Sequence, residues 1–201
     1  MTIKDFGARV ESVWEDLRPI TKKMLVGALA AGSGNTPTVQ TQFSYDVHAD
    51  WELSRLLTAL DEQAKTAEVK NDAEKLREIR QLAETCAKVL ESKTASAEVF
   101  IQLATRTLQR NDFKQIDRLA DILSERFSAG EIAEVIRQTD MAQIRAIAFE
   151  TLALMPISTI LPLIDDSVYF EIARNALEQQ AFEFESEEAR EILDQLDFEE
   201  N

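Results

Sequence analysis

Apolar residues along most of the chain recur at steps of three and four positions, the spacing of one face of an α-helix. The pattern runs through residues 2–31, 49–92 and 95–182. Pro19 interrupts the first of these segments, because proline cannot donate a hydrogen bond inside a helix. A turn near Lys70–Asp72 divides the second into two helices. Valine, isoleucine and threonine do not form the alternating runs of strands, so the pattern predicts an all-α protein.

The C-terminal half carries a motif that recurs at intervals of 28 residues. Its three copies share apolar positions and end on alanine: Leu108, Asp112, Ile116 and Ala120; Ile136, Asp140, Ile144 and Ala148; Ile164, Val168, Ile172 and Ala176. Asp112 and Asp140 are predicted to cap the N-terminus of a helix. Val168 replaces this aspartate in the third copy, so the cap is expected to move to a residue within 165–167. A fixed period of this length predicts helix pairs stacked in an array.

Ser128 and two prolines predict further helix boundaries in this half of the chain. Ser128, followed by Glu131 three positions later, is expected to cap the helix that precedes the second copy. Pro156 is expected to end one helix. Pro162 is compatible with the next helix only if it lies in the first turn.

Part of the repeat region resembles HEAT-type repeats. The resemblance rests on an apolar, proline-containing segment followed by an aspartate turn at 160–166, and on the segments 144–149 and 172–177, which mix small and basic residues. The resemblance covers about residues 100–182. It implies a fold in which N-terminal helical hairpins are followed by a short right-handed α-solenoid of helix pairs. Families with this fold include adaptors, lyase-related chaperones and DNA glycosylases, so the fold does not by itself give a function.

The helical pattern and the HEAT-type resemblance together predict three regions in the chain. They are an N-terminal helical region at 1–92 with a loop at 32–47, HEAT-like helix-pair repeats at 93–185, and an acidic capping helix or tail at 186–201. One continuous domain is the alternative.

The net charge of the 201-residue chain is −15, and the acidic residues are concentrated at one end. Residues 1–31 hold five basic and four acidic side chains, whereas residues 183–201 hold nine acidic side chains against Arg190 alone. Nucleic acids and anionic membranes attract basic proteins, so neither is an expected partner. The charge favours another protein with a basic surface.

Cysteine content and the N-terminal sequence indicate a cytoplasmic location. Cys86 is the single cysteine, which rules out a disulfide within the chain and favours a reducing compartment. Acidic residues at Asp5 and Glu11 interrupt the apolar run that a signal peptide needs.

The acidic tail is the best candidate for a partner-binding element. Ser186 is placed to cap a short helix in which Ile192, Leu193 and Leu196 form an apolar stripe, extended by Phe198. The helix either closes the end of the array or detaches and docks in a basic groove. The predicted partner-binding residues are Glu187, Glu188, Glu191, Asp194 and Phe198.

A second candidate site surrounds the only histidine, His48. In an extended segment, the side chains of Asp46, His48, Asp50 and Glu52 can converge on one cation, and this donor set suits zinc or manganese. The preferred interpretation is a polar loop that leads into a helix, with Asp50 near its N-cap and Trp51 anchoring it. The sequence lacks a Gly-x-Ser-x-Gly elbow and a phosphate-binding loop, so no catalytic residue, metal or cofactor is predicted.

Three functional hypotheses follow. The first is a non-enzymatic protein-interaction module, either a scaffold or an adaptor. The second is an acidic inhibitor or immunity-type protein that masks a basic, nucleic-acid-binding partner. The third is an enzyme, either a HEAT-like DNA glycosylase or a metal-dependent hydrolase.

Overall fold

The computed structural model describes residues 3–32 and 45–199, and over these ranges it contains helices and turns only. The predicted all-α class is confirmed for this part of the chain. The described residues belong to two compact units, Met1–Thr94 and Ala95–Asn201. Residues 33–44 of the predicted loop at 32–47 lie outside the described residues.

Over residues 3–32 and 45–94, the first unit contains a short 3₁₀ helix and five α-helices. They are the 3₁₀ helix Ile3–Phe6, α1 Ala8–Asp16, α2 Pro19–Gly32, α3 Val47–Gln63, α4 Ala67–Lys70 and α5 Ala73–Lys93. Pro19 is the first residue of α2, where proline suits helix initiation, so the predicted break is confirmed. The predicted turn near Lys70–Asp72 is also confirmed, with α4 as an additional short helix before it.

The core of the first unit lies mainly between α3 and α5, and α1 packs against α3 while α2 packs against α5. Its largest fully buried side chains are Leu25, Leu53, Leu56, Leu57, Leu60, Ile79 and Leu90. Gly7, which joins the 3₁₀ helix to α1, has a φ of 121°. This backbone conformation requires glycine, and a Cβ atom here would also displace the end of the Gln63 side chain, whose Nε2 would lie 2.8 Å away.

The described part of the second unit, residues 95–199, contains seven helices. They are α6 Ala97–Gln109, α7 Phe113–Arg126, α8 Ala129–Gln138, α9 Ala142–Ala153, α10 Ile157–Ile164, α11 Phe170–Phe182 and α12 Glu187–Glu199. The helices that carry the repeated motif, α7, α9 and α11, start 29 and 28 residues apart. The 28-residue interval in the sequence therefore corresponds to one helix pair.

Two of the predicted caps in the second unit are confirmed. Asp112 Oδ1 accepts the Gln115 amide proton at 3.1 Å, and Ser128 Oγ accepts that of Glu131 at 3.2 Å. The carboxylate of Glu131 does not turn back to its own cap. It accepts the Ala97 amide at 2.9 Å and so satisfies the first turn of α6, a helix without a side-chain cap of its own.

The predicted caps of α9 and α11 and the predicted position of Pro162 need correction. Asp140 does not cap α9, which begins at Ala142 behind Met141 and has no side-chain cap. Nearby, Thr139 Oγ1 accepts the Met141 amide at 3.2 Å. In the third copy, Asp166 Oδ1 accepts the Val168 amide at 2.9 Å, although α11 begins only at Phe170. Pro156 lies between α9 and α10 as expected, but Pro162 is the sixth residue of α10, beyond its first turn.

Within the described residues, no single helix is long and apolar enough to cross a membrane. One pair, α9 and α10, meets the length and composition requirement only when the two helices are joined across a bend of 114°.

Candidate functional site

The acidic helix α12 packs against α11 through a small apolar face. Ala189 is fully buried and Leu193 is nearly so. Ser186 Oγ accepts the Ala189 amide at 3.3 Å, which confirms the predicted cap. Two arginines add polar links: Arg174 Nη2 donates to Asp197 at 2.7 Å, and Arg190 Nε donates to the Ala181 carbonyl at 3.0 Å. In this structure α12 is a docked helix.

The predicted partner-binding residues all lie on the solvent side of α12. They are the exposed residues Glu187, Glu188, Glu191, Asp194 and Phe198. Phe198 is 85% exposed, so it does not extend the apolar stripe that packs on α11. Glu187 and Glu188 occupy the first turn of α12, where negative charge is stabilised by the helix dipole. The result is an acidic surface held on a helix, with one aromatic side chain near its C-terminal end.

The four residues around the histidine do not converge. The side chain of Asp46 caps α3 by accepting the Ala49 amide at 2.9 Å, and Asp50 lies in the first turn, near the N-cap as predicted. Asp50 is buried and accepts a hydrogen bond from the Tyr45 hydroxyl, while His48 is exposed. Glu52 is buried and faces α2.

Arg18 joins the two carboxylates that a metal site would need. Its guanidinium contacts both Asp46 oxygens, at 2.7 and 2.9 Å, and its Nε donates to Glu52 at 3.1 Å. The Arg18 backbone N–H donates to Glu52 at 2.8 Å, and the Thr21 hydroxyl donates to the same carboxylate. Glu52 therefore caps the start of α2, at the position where the proline break leaves amide groups to be satisfied.

The pKa values in this cluster shift toward the charged forms. Hydrogen bonds from Arg18, and then from the Ala49 amide, lower the pKa of Asp46 well below its usual range. Burial alone would raise the pKa of Glu52, but the hydrogen bonds from Thr21 and Arg18 lower it overall. Among the described residues, no three histidine, cysteine, aspartate or glutamate side chains form a group that could hold a metal ion.

Trp51 does not anchor the start of α3, because its side chain is 57% exposed. It stacks against Arg55, whose Cζ lies 4.5 Å from the ring centroid. The interpretation of this residue as an anchor was therefore wrong.

A polar cluster that sequence reasoning missed links α8 to the residue before α11. Glu134 accepts hydrogen bonds from Arg137 at 2.5 and 2.6 Å and from the Tyr169 hydroxyl at 2.9 Å. The pairing with Arg137, three positions along the helix, could have been found from sequence. Tyr169 is 35 residues away in the chain, and only the tertiary fold of the second unit brings it close.

The Glu134 cluster should make the stability of the fold depend on pH in the acidic range. Hydrogen bonds from Arg137 are the main reason that the pKa of Glu134 is lowered to about 2. A carboxyl with a lowered folded-state pKa contributes stability above its unfolded pKa and loses it as the pH falls toward the folded value. We expect Glu134→Gln to lower the melting temperature at pH 7 and to lose this deficit between about pH 4.3 and about pH 2. Thermal melts over that range test this, and a deficit independent of pH would contradict it.

No protein-family model, no curated protein and no solved structure matches this chain. The class of the described residues, an all-α protein in two compact units, therefore rests on the structure itself.

Proposed function

We propose that this protein is a non-enzymatic interaction module that binds a basic protein through the acidic face of α12. The observation that carries this proposal is the docking of α12. Ala189 and Leu193 face α11, and this leaves Glu187, Glu191 and Asp194 exposed on one element. Charges held on a docked helix bind with less loss of conformational entropy than charges on a free tail.

We also propose that the second unit is a short HEAT-like α-solenoid. In support, α6, α7, α8 and α9 each contact the helix two places further along the chain, so α6 contacts α8 and α7 contacts α9. Contacts also join α6 to α7, α8 to α9 and α10 to α11, as in an array of stacked pairs. In this view α12 is the capping helix that covers the apolar face of the last pair.

The test compares two charge-reversed variants of the whole chain. The first carries Glu187→Lys, Glu191→Lys and Asp194→Lys. The control carries Asp117→Lys, Asp121→Lys and Glu125→Lys, which reverse an exposed acidic stripe on α7 in the same unit. Both variants change the net charge by the same amount, so only the position of the charges differs between them.

We expect immobilised wild-type protein and the α7 variant to retain the same basic proteins from a lysate of the source cells, and the α12 variant to lose them. The association rate with a retained protein should fall steeply with ionic strength, because complementary charges act mainly on that rate. Equal losses in both variants would show that net charge alone is responsible and would contradict a site on α12.

The narrower hypothesis, an inhibitor that masks a nucleic-acid-binding partner, makes one further prediction about the same surface. Acidic side chains on α12 would occupy the partner's phosphate-binding surface, so nucleic acid and this protein would compete for it. A retained partner that binds nucleic acid and this protein at the same time would support the interaction-module hypothesis and contradict the inhibitor hypothesis.

A further inference from the structure

Three large apolar side chains are exposed at the C-terminal ends of two neighbouring helices, α9 and α11. Leu154, in the turn after α9, is 66% exposed, and Phe182, the last residue of α11, is 76% exposed. Phe184, in the turn before α12, is 46% exposed. These three residues are called the apolar end patch below. Exposed apolar groups that lie together inside a polar rim mark binding surfaces in soluble proteins.

A buried glutamine holds the two turns of the apolar end patch side by side. Leu154 and Phe182 are 28 residues apart, the interval of the repeated motif, and α9 contacts α11. Gln180, two residues before Phe182, is buried, and its Nε2 donates to the carbonyls of Ala153 and Met155, both at 2.8 Å. Those two carbonyls flank Leu154 in the chain. The turn after α9 is therefore fixed against the end of α11.

The turn that carries Phe184 is held in place by the backbone. The Ser186 N–H donates to the Gln180 carbonyl at 3.0 Å across the turn. Glu185 has a φ of 54°, a left-handed conformation that a residue other than glycine keeps only where the surrounding structure holds it. The aromatic ring of Phe184 is therefore presented from an ordered turn, which reduces the conformational entropy lost when a partner binds.

Acidic residues border the apolar end patch on both sides of Phe184 in the chain. This acidic rim consists of the exposed residues Glu183, Glu185, Glu187 and Glu188. Three residues of chain span at most about 11 Å, so the Cα atoms of Phe184 and Glu187 lie within that distance of one another. Residues 183–201 hold nine acidic side chains against Arg190 alone, and Arg190 Nε donates to a backbone carbonyl. The rim therefore carries a net negative charge.

The charge of the rim determines which partner fits the patch. The second unit, residues 95–201, holds 22 acidic and nine basic side chains. Nucleic acid, an anionic membrane and a second copy of this chain are all negative and are repelled by it. A complementary ligand combines apolar side chains that cover the patch with lysine or arginine side chains that pair with the rim. An amphipathic basic helix carries both kinds of side chain on adjacent faces.

We propose that the apolar end patch and its acidic rim bind a basic amphipathic helix of the partner protein. This inference rests on the proposed function, in which the partner is basic, and it names the kind of segment that is recognised. Apolar side chains of that helix, spaced by three and four residues, pack on the patch, while its lysine and arginine side chains face the glutamates of the rim. Three exposed side chains offer less area than a standard protein interface, which suits a short helical segment.

Two synthetic peptides of about 18 residues, or about five helical turns, test the proposal with the full chain. The first contains lysine and leucine, with the leucines spaced to form one apolar face, and the second has alanine in place of every leucine. Both peptides carry the same charge and consist of helix-forming residues, so they differ in the size of the apolar face. Fluorescence anisotropy of the labelled peptides measures binding. We expect the wild type to bind the leucine peptide about tenfold more tightly than the alanine peptide, or about 1.4 kcal/mol.

Variants of the patch show whether it provides the preference for leucine. The double variant Phe182→Ser with Phe184→Ser should bind the leucine peptide about tenfold more weakly and the alanine peptide as the wild type does. Leu154→Ser, in the other turn, should also weaken binding of the leucine peptide alone. Phe113→Ser is the matched control and should bind as the wild type does, because Phe113 is 66% exposed at the start of α7 in the same unit. All four positions are exposed, and unchanged thermal melts establish that the variants are folded.

The failure of this inference and the failure of the proposed function give different results. Equal binding of both peptides by the wild type, or an unchanged preference in the double phenylalanine variant, would overturn the inference and leave a site on α12 that recognises charge alone. Failure to bind either peptide at low ionic strength would overturn both. Binding to neutral phosphatidylcholine vesicles, or self-association at high concentration, that is lost in the double variant would assign the patch to a lipid surface or to a second copy and would also overturn the inference.

Discussion

Glu52→Ala is expected to lower the free energy of unfolding by about 2 kcal/mol, since hydrogen bonds to charged groups contribute about 1.5–3 kcal/mol each and part of the loss is recovered. The buried carboxylate accepts the Arg18 N–H at 2.8 Å, the Arg18 Nε at 3.1 Å and the Thr21 hydroxyl. Its removal leaves the start of α2 without an acceptor. Arg18 keeps its contacts with Asp46 and with water, which limits the loss.

Urea unfolding at neutral pH measures the effect of Glu52→Ala. The control is Glu62→Ala on the same helix, which removes the pair with Arg9. Both side chains of that pair are largely exposed, and exposed ion pairs contribute about 0–1 kcal/mol. Equal losses in the two variants would contradict a capping role for Glu52 at the start of α2.

The deficit of Glu52→Ala should also depend on pH. Because the folded-state pKa of Glu52 is lowered, its contribution is complete above the unfolded value of about 4.3. It decreases as the pH falls through that value toward the folded one. The wild-type and variant unfolding free energies should therefore converge in acid, and a constant difference would show that packing, not charge, is responsible.

The fold was predictable where the determining interactions are local. The break at Pro19 and the caps at Asp112 and Ser128 depend on a proline ring or on a side chain bonding three residues ahead. Asp140 has the same spacing to Gln143 and Ile144 as Asp112 has to Gln115 and Ile116, but α9 begins behind Met141 without a side-chain cap. Sequence spacing alone therefore does not distinguish the two turns.

The candidate sites were likewise predictable where local interactions determine them and unpredictable where long-range contacts do. Exposure of the acidic residues on α12 could be predicted, because it requires only a helix and an apolar stripe opposite them. The metal hypothesis around His48 assumed an extended segment, whereas α3 begins at Val47 and turns Asp50 and Glu52 to different neighbours. Glu52 and Arg18 are 34 residues apart, and no local pattern pairs them.

Ala148→Leu is expected to destabilise the protein by roughly 1–3 kcal/mol, the usual effect of overpacking a closely packed core. Ala148 is fully buried on α9, and α9 contacts α7, α8 and α11. With helices on several sides, three additional carbon atoms cannot be accommodated without moving a helix or forcing a side chain out of its rotamer. The small residue at this position therefore lets α9 lie close to the helices around it.

The matched control for Ala148→Leu is Ala120→Leu, at the equivalent position of the preceding repeat. Ala120 is only half-buried, so the larger side chain can extend into solvent, and we expect little change in stability. Thermal and urea unfolding of the two variants measure the difference. A melt of Ala148→Leu that matches the wild type would contradict the stacked-repeat proposal, because the 28-residue interval would then not correspond to close contacts between helix pairs. If Ala120→Leu also lost much stability, the alanine would be closely packed at both equivalent positions, and the half-exposure of Ala120 would not relieve the overpacking.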